Sequence, residues 1–190
     1  MVERDRVLEF LEKENRTAFV SPQQEKFVVI YDKESEDQDQ KVIIDITRKL
    51  SKALGCSTFS SLVHDGDVFC YWLFENGKLV DEYNSTPDYF ESETDQPVAP
   101  IGGNAKKLCS AFHKEESLSE VTRIFEIAKD TALNLSNDIN DDLIGEEIHI
   151  ELVKTLDMPL FAAEIGYYTI ENNYLPSEFK KSSFTQIESI

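Results

Sequence analysis

Apolar and polar positions along this chain alternate between helical and strand spacing, and each switch marks an element. Val7, Leu8, Phe10 and Leu11 stand among Glu, Arg and Lys, which predicts a short amphipathic helix ending near Asn15. The run Phe27 to Asp32 is short, apolar and rich in β-branched and aromatic residues, so it reads as a buried strand. An acidic loop follows. From Asp39, Val42, Ile43, Ile46, Leu50, Ala53 and Leu54 recur at three- and four-residue steps, predicting a helix capped by Asp39 and terminated by Gly55.

Thr58 to Ser85 carries the strongest local signal. Asp65-Gly66 and Asn76-Gly77 separate three runs of strand-forming residues. Both dipeptides suit type I′ turns, whose central residues need positive φ. These turns pair His64 with Asp67, Glu75 with Lys78 and Tyr71 with Glu82. Both faces of the middle strand are apolar, one through Val68, Cys70, Trp72 and Phe74, the other through Phe69, Tyr71 and Leu73. It should therefore lie between two layers. We expect the helix around Ile46 on one side and the C-terminal half on the other.

Residues 86–104 read as a loop with three prolines. Helical spacing returns at Ala105, Leu108, Cys109 and Phe112, and again from Leu118, where Ser117 and Glu120 fit a capping box. A polar break separates these from Ile144, Ile148, Leu152 and Leu156. Phe161 to Tyr168 reads as a returning strand, and residues 177–190 as a tail. LSKALGCSTFSSL and LVKTLDMPLFAAE share four residues in register, which suggests a repeated helix-turn-strand unit or only common secondary-structure grammar. The fold class that follows is α+β: a single domain with a mainly antiparallel β-meander sheet of about five strands covered by helices. Its parts are an N-terminal helix (1–20), a strand-helix-meander core (27–85), the loop, a helical half with its returning strand (105–176) and the tail.

Charge changes the picture most. Asp plus Glu number 37 against 19 Lys plus Arg among 190 residues, a net charge of −18. Such a field repels phosphate backbones and anionic lipid surfaces, so neither nucleic acid nor a membrane surface is an expected partner. It would attract a basic protein, a polyamine or a divalent cation, or serve solubility alone. Three widely spaced cysteines form no CxxC pair, so no disulfide framework or zinc knuckle is expected. The N-terminus lacks the apolar core of a signal peptide, and no run approaches the ~20 apolar residues of a membrane span. A cytoplasmic location is the simplest expectation, and the sequence leaves the oligomeric state open.

Candidate chemistry is dispersed. Asp32 ends a strand, where α/β enzymes place metal-binding carboxylates, and Glu34, Glu36, Asp37 and Asp39 follow it. His64 with Asp65 and Asp67 at a hairpin tip offers a proton-transfer dyad, although turn chemistry already accounts for Asp65. Cys109 and His113 are four apart, the spacing of one helix face, but no third ligand has a readable spacing. Gly102-Gly103-Asn104 before a helix bearing Lys106 and Lys107 could cradle an anion, or simply turn the chain. The run from Asp138 resembles a calcium loop only in composition, because Leu143 stands where glycine is required. Tyr89-Phe90 and Tyr167-Tyr168 are aromatic pairs suited to a half-exposed recognition patch. No cofactor motif and no metal set emerges. Three functions fit: a non-enzymatic interaction module for a basic partner, an enzyme with a carboxylate-lined pocket, with or without a metal, using Asp32 and His64, and a subunit that self-associates through an apolar patch.

The run from His64 to Glu91, with Gly102-Gly103, Leu108-Cys109 and the MPLFAAEIGYYTI segment, resembles an uncharacterised bacterial protein family over roughly residues 27–176. The resemblance implies a hairpin-rich strand region and a C-terminal strand. It implies no activity.

Overall fold

The computed structural model describes residues 3–89, 97–135, 143–177 and 179–189. The chain divides into two compact units. The first comprises Met1–Thr58, Glu75–Lys78 and Pro159–Ile190, the second Phe59–Phe74 and Leu79–Met158. The mixed α+β class and the antiparallel pairing stand, but the strands form two sheets, of three and four strands, rather than one of about five.

The first unit contains α1 (Arg4–Lys13), β1 (Ala18–Val20), β2 (Ile30–Asp32) and α2 (Gln40–Leu54). Its C-terminal part adds α6 (Phe161–Glu164), α7 (Tyr167–Glu171) and β7 (Thr185–Ile187). β1 is the central strand, pairing Ala18 with Asp32 on one side and with Ile187 on the other. The period-two alternation of a strand then sorts its side chains between two cores. Phe19 joins Tyr31, Phe161, Ile165, Tyr167, Ile170 and Phe184. Ala18 and Val20 join Val7, Phe10, Leu11 and Ile187, against which Ile46, Leu50 and Leu54 of α2 pack. Asp39 caps α2 by accepting the Lys41 N–H at 2.8 Å. Gly55 closes it at φ 66°, the left-handed geometry that glycine adopts without strain.

The second unit holds most of β3 (Ser57–His64), β4 (Val68–Glu75) and β5 (Lys78–Asn84), with β6 (Ile101–Gly102), α3 (Ala105–Phe112), α4 (Leu118–Ala132) and α5 (Gly145–Thr155). The strand order is β3-β4-β5-β6. Asp65, Gly66, Asn76 and Gly77 all have positive φ, as the two turns require. β4 is buried from Val68 through Phe74, as a strand apolar on both faces demands. The C-terminal half supplies one of its layers: Phe125 of α4 lies against Tyr71, and His149 of α5 stacks on Phe69 at 5.0 Å.

Several expectations need correction. The second turn does not hold its register along the hairpin. Tyr71 stacks on Tyr83 and donates its hydroxyl to Asp81 at 2.6 Å, so all three share a face. The Ser85 N–H, not that of Asn84, reaches the Phe69 carbonyl. β5 therefore carries one extra residue between the turn and Asp81, which is the signature of a bulge. The returning strand is absent: Phe161 to Tyr168 instead forms α6 and the start of α7. Pro159 opens the first turn by accepting the Ala162 N–H, and the Glu36 carboxylate accepts the Tyr167 N–H at 2.7 Å, starting α7. Without that strand the helix-turn-strand repeat also fails in its second copy. The tail is not irregular throughout, because Thr185–Ile187 completes the three-stranded sheet, and the 86–104 loop ends in β6. The capping box does not form. Ser117 sits at φ −88°, ψ 4° as the last residue of a 3₁₀ turn and makes no capping bond, while Glu120 binds Arg123 at 2.6 Å.

Candidate functional site

Asp32 is engaged by its own unit. Its carboxylate accepts two hydrogen bonds from Arg16, at 2.5 and 2.8 Å, and further bonds from the Ser35 N–H and hydroxyl. Arg16 also pairs with Glu34 at 2.5 Å. Four donors on one buried carboxylate, two of them the paired donors of an arginine, make a structural clasp, and Asp32 caps the 3₁₀ turn that follows. Tyr167 and Tyr168 belong to the same unit, with rings 5.5 Å apart and nearly perpendicular. Tyr167 is core, while Tyr168 is 44% exposed. The pair is half anchor and half surface.

In the second unit the structure joins two residues that the sequence placed apart. His64 lies edge-on to Tyr89 at 5.6 Å, and its Nε2 is 3.4 Å from an Asp65 carboxylate oxygen. Phe90 and the acidic run 136–142 lie outside the described residues. Cys109 and His113 are separated by the end of α3. Cys109 is buried in the helix, and burial pushes its thiol pKa up, away from a reactive thiolate. His113 takes the left-handed C-cap position at φ 54° and is exposed.

The glycine pair has a packing explanation. A Cβ on Gly102 would sit 1.9 Å from the Glu82 carbonyl oxygen, and one on Gly103 would press on the Tyr83 ring at 2.8 Å. Asn104 caps α3 through the Lys107 N–H at 3.0 Å, and its own N–H donates to Asp81 at 2.8 Å. Asp81 thus ties the Tyr71 hydroxyl to the start of α3. Beside this turn lies an open concavity of about 400 Å³, lined by Tyr83, Phe125, Thr122, Glu126, Lys129 and the backbone from Gly102 to Ala105.

Sequence reading did not single out His149. It is 95% buried (5% exposed) on the Phe69 ring, and burial lowers its pKa to about 4, so the imidazole is neutral at pH 7. The helical spacing from Ile144 through Leu156 placed this segment on a helix without separating His149 from its solvent-facing neighbours.

α5 also orders an acidic end of the second unit. Its first-turn donors reach the hairpin tip: the Gly145 N–H bonds to the Asp67 carbonyl and the Glu146 N–H to that of Gly66. These bonds satisfy N–H groups that a helix start leaves open. The close approach requires the glycine, since a Cβ on Gly145 would lie 2.6 Å from the Asp67 backbone. As a result Glu146 and Glu147 are carried to the same end as Asp65 and Asp67, all four exposed. Among the described residues, no group of three or more His, Cys, Asp or Glu side chains is placed to hold a metal ion.

The larger feature is how charge divides. The first unit holds 17 Asp and Glu against 13 Lys and Arg, a net of −4; the second holds 20 against six, a net of −14. In the first unit Arg16 pairs with Asp32, and Lys49 with Glu14 and Asp45. In the second, Glu82, Glu115, Glu126, Asp130, Glu146 and Glu147 are all exposed.

The fold and this surface define an α+β protein of two compact units, one of which carries most of the net charge. Comparison with protein families, with curated proteins and with solved structures finds no match in any of the three. Among the described residues, no helix is long and apolar enough to cross a membrane.

Proposed function

We propose that the protein is a non-enzymatic interaction module that binds a basic protein through the acidic surface of its second unit. The observation that carries this reading is the partition of charge: −14 in the second unit against −4 in the first. A field concentrated on one body steers a cationic partner to it and raises the association rate, an effect that salt screens. Two side chains that the sequence offered as candidate chemistry, Asp32 and Cys109, and one that it did not, His149, support this reading from the other side. Asp32 is held in an ion-pair clasp, Cys109 is a buried thiol and His149 a buried neutral imidazole.

The reading also bears on location and partners. A cytoplasmic setting suits free thiols at Cys56, Cys70 and Cys109, and the same field that draws a basic protein opposes binding to nucleic acid. The test is retention of basic proteins from a cell extract on the immobilised full chain at 50 and at 300 mM NaCl. A basic protein retained at low salt and released at high salt supports the proposal. Retention that is indifferent to salt, or no basic protein among those retained, removes it.

A further inference from the structure

We propose that the concavity over Phe125 and Tyr83 takes a lysine or arginine side chain of the basic partner; this rests on the reading above and adds the point of anchorage. The ring centroids of Phe125 and Tyr83 lie 4.9 Å apart at 37°. Tyr83 is nearly inaccessible, and Phe125 is half-buried, so Phe125 presents the ring and Tyr83 backs it. A cation over an aromatic face is attracted by the ring quadrupole, and the attraction strengthens as water is excluded. Glu126, adjacent on α4 and exposed, lines the same concavity and supplies a counter-charge.

The surroundings select the sign of the occupant. The glycines at the rim do not open space for an anion, because a Cβ at either would meet the protein's own Glu82 carbonyl or Tyr83 ring. The concavity belongs wholly to the unit with net charge −14, so an anion entering it works against the field and a cation moves with it. Lys129, also on the wall, is the one lining residue that opposes a cation. The proposal therefore fixes the direction in which its removal must act. Interface energy concentrates in a few side chains that fill pockets, which is the role assigned here to the partner's cation.

The test measures binding of a fluorescein-labelled octa-arginine peptide to the full chain by anisotropy at 50 mM NaCl, with amide chemical shifts of Gly102, Gly103 and Ala105 followed in parallel. Phe125→Leu and Glu126→Gln should each weaken binding roughly two- to fivefold. Lys129→Gln should tighten it about twofold, and the three amides should shift on titration. Thermal melts of each variant identify any that has lost its fold, and the two helix-surface variants at 126 and 129 do not touch the core. Peptide binding that ignores all three substitutions and leaves those amides unmoved overturns the anchor while leaving the acidic-surface reading intact. Weakening by Lys129→Gln with tightening by Glu126→Gln reverses the sign that a cation anchor requires and overturns it as well. Failure of the wild-type chain to bind the peptide at all removes the acidic-surface reading, and the anchor with it.

Discussion

The two units use polar groups in opposite ways. In the first, acids and bases are nearly balanced, and its buried carboxylate, Asp32, is enclosed by Arg16 and Ser35. There, charge serves the fold. In the second, an aromatic stack of Phe69, Tyr71, Tyr83, Phe125 and His149 provides the cohesion, and most carboxylates face solvent. There, charge is left facing solvent. Self-repulsion among uncompensated carboxylates destabilises a compact state, so a unit of net −14 tolerates its surface only because the apolar stack beneath is extensive.

The largest expected effect breaks the first unit's clasp. Asp32→Ala leaves the Arg16 guanidinium without its buried partner and removes a cap, costing about 4 kcal/mol. Hydrogen exchange at the Phe19 and Val20 amides should accelerate accordingly, since β1 pairs directly with β2. Protection equal to wild type would show that the clasp is surface decoration.

The next effect sharpens the contrast by pH. His149 titrates near 4 when folded, below the ~6.5 of an exposed histidine. As pH falls from about 6.5 towards 4, the unfolded chain takes up a proton that the folded chain refuses. Stability is therefore complete above about pH 6.5 and is lost by about 3 kcal/mol on the way down. Trp72, the only tryptophan, sits in the second unit and reports its unfolding in urea. His149→Phe should flatten this part of the pH profile, and an unchanged slope would contradict the assignment.

A smaller effect concerns the hairpin tip in the first unit. Gly77 has φ 76° and its Cβ position lies 2.8 Å from the Lys52 Cβ, so Gly77→Ala should cost about 1–2 kcal/mol in urea midpoint analysis. The smallest expected effect is at Ser117. Having no capping bond, it should tolerate alanine within about 0.5 kcal/mol, whereas a working cap would cost ~1 kcal/mol.

How much of this was legible depends on the range of the interactions involved. Asp39, Gly55 and the two turn dipeptides announced themselves because caps and I′ turns are decided by the residues that form them. β4 was legible because burial on both faces leaves an unbroken apolar run. β1 and β7 were not, since three-residue strands carry almost no period, and Ala18 meets Ile187 only through tertiary packing. Phe161 to Tyr168 misled because aromatic and β-branched content imitates a strand, while the capping Glu36 lies far away in sequence. The bulge in β5 was likewise invisible, because the Asn76-Gly77 turn specifies the pairing beside it and not the pairing six residues on.

The candidate residues followed the same division. His64 and Tyr89 were each legible, but their meeting was not. The charge partition was hidden for a different reason. Net −18 is plain from composition, yet assigning −14 of it to one body requires knowing that residues 159–190 fold with 1–58.

The most direct test of that partition compares two neutralised variants of the full chain for binding to the octa-arginine peptide across a salt titration. One carries Glu82, Glu115, Glu126, Glu146 and Glu147 changed to Gln with Asp130→Asn. The other carries the same number of exposed first-unit changes, at Glu9, Glu12, Glu25, Asp37, Glu164 and Glu188. The account predicts that the first set lowers affinity at least tenfold at 50 mM NaCl and flattens the salt dependence, while the second set changes affinity by less than roughly threefold. Equal losses from the two sets, or a larger loss from the first-unit set, would contradict it.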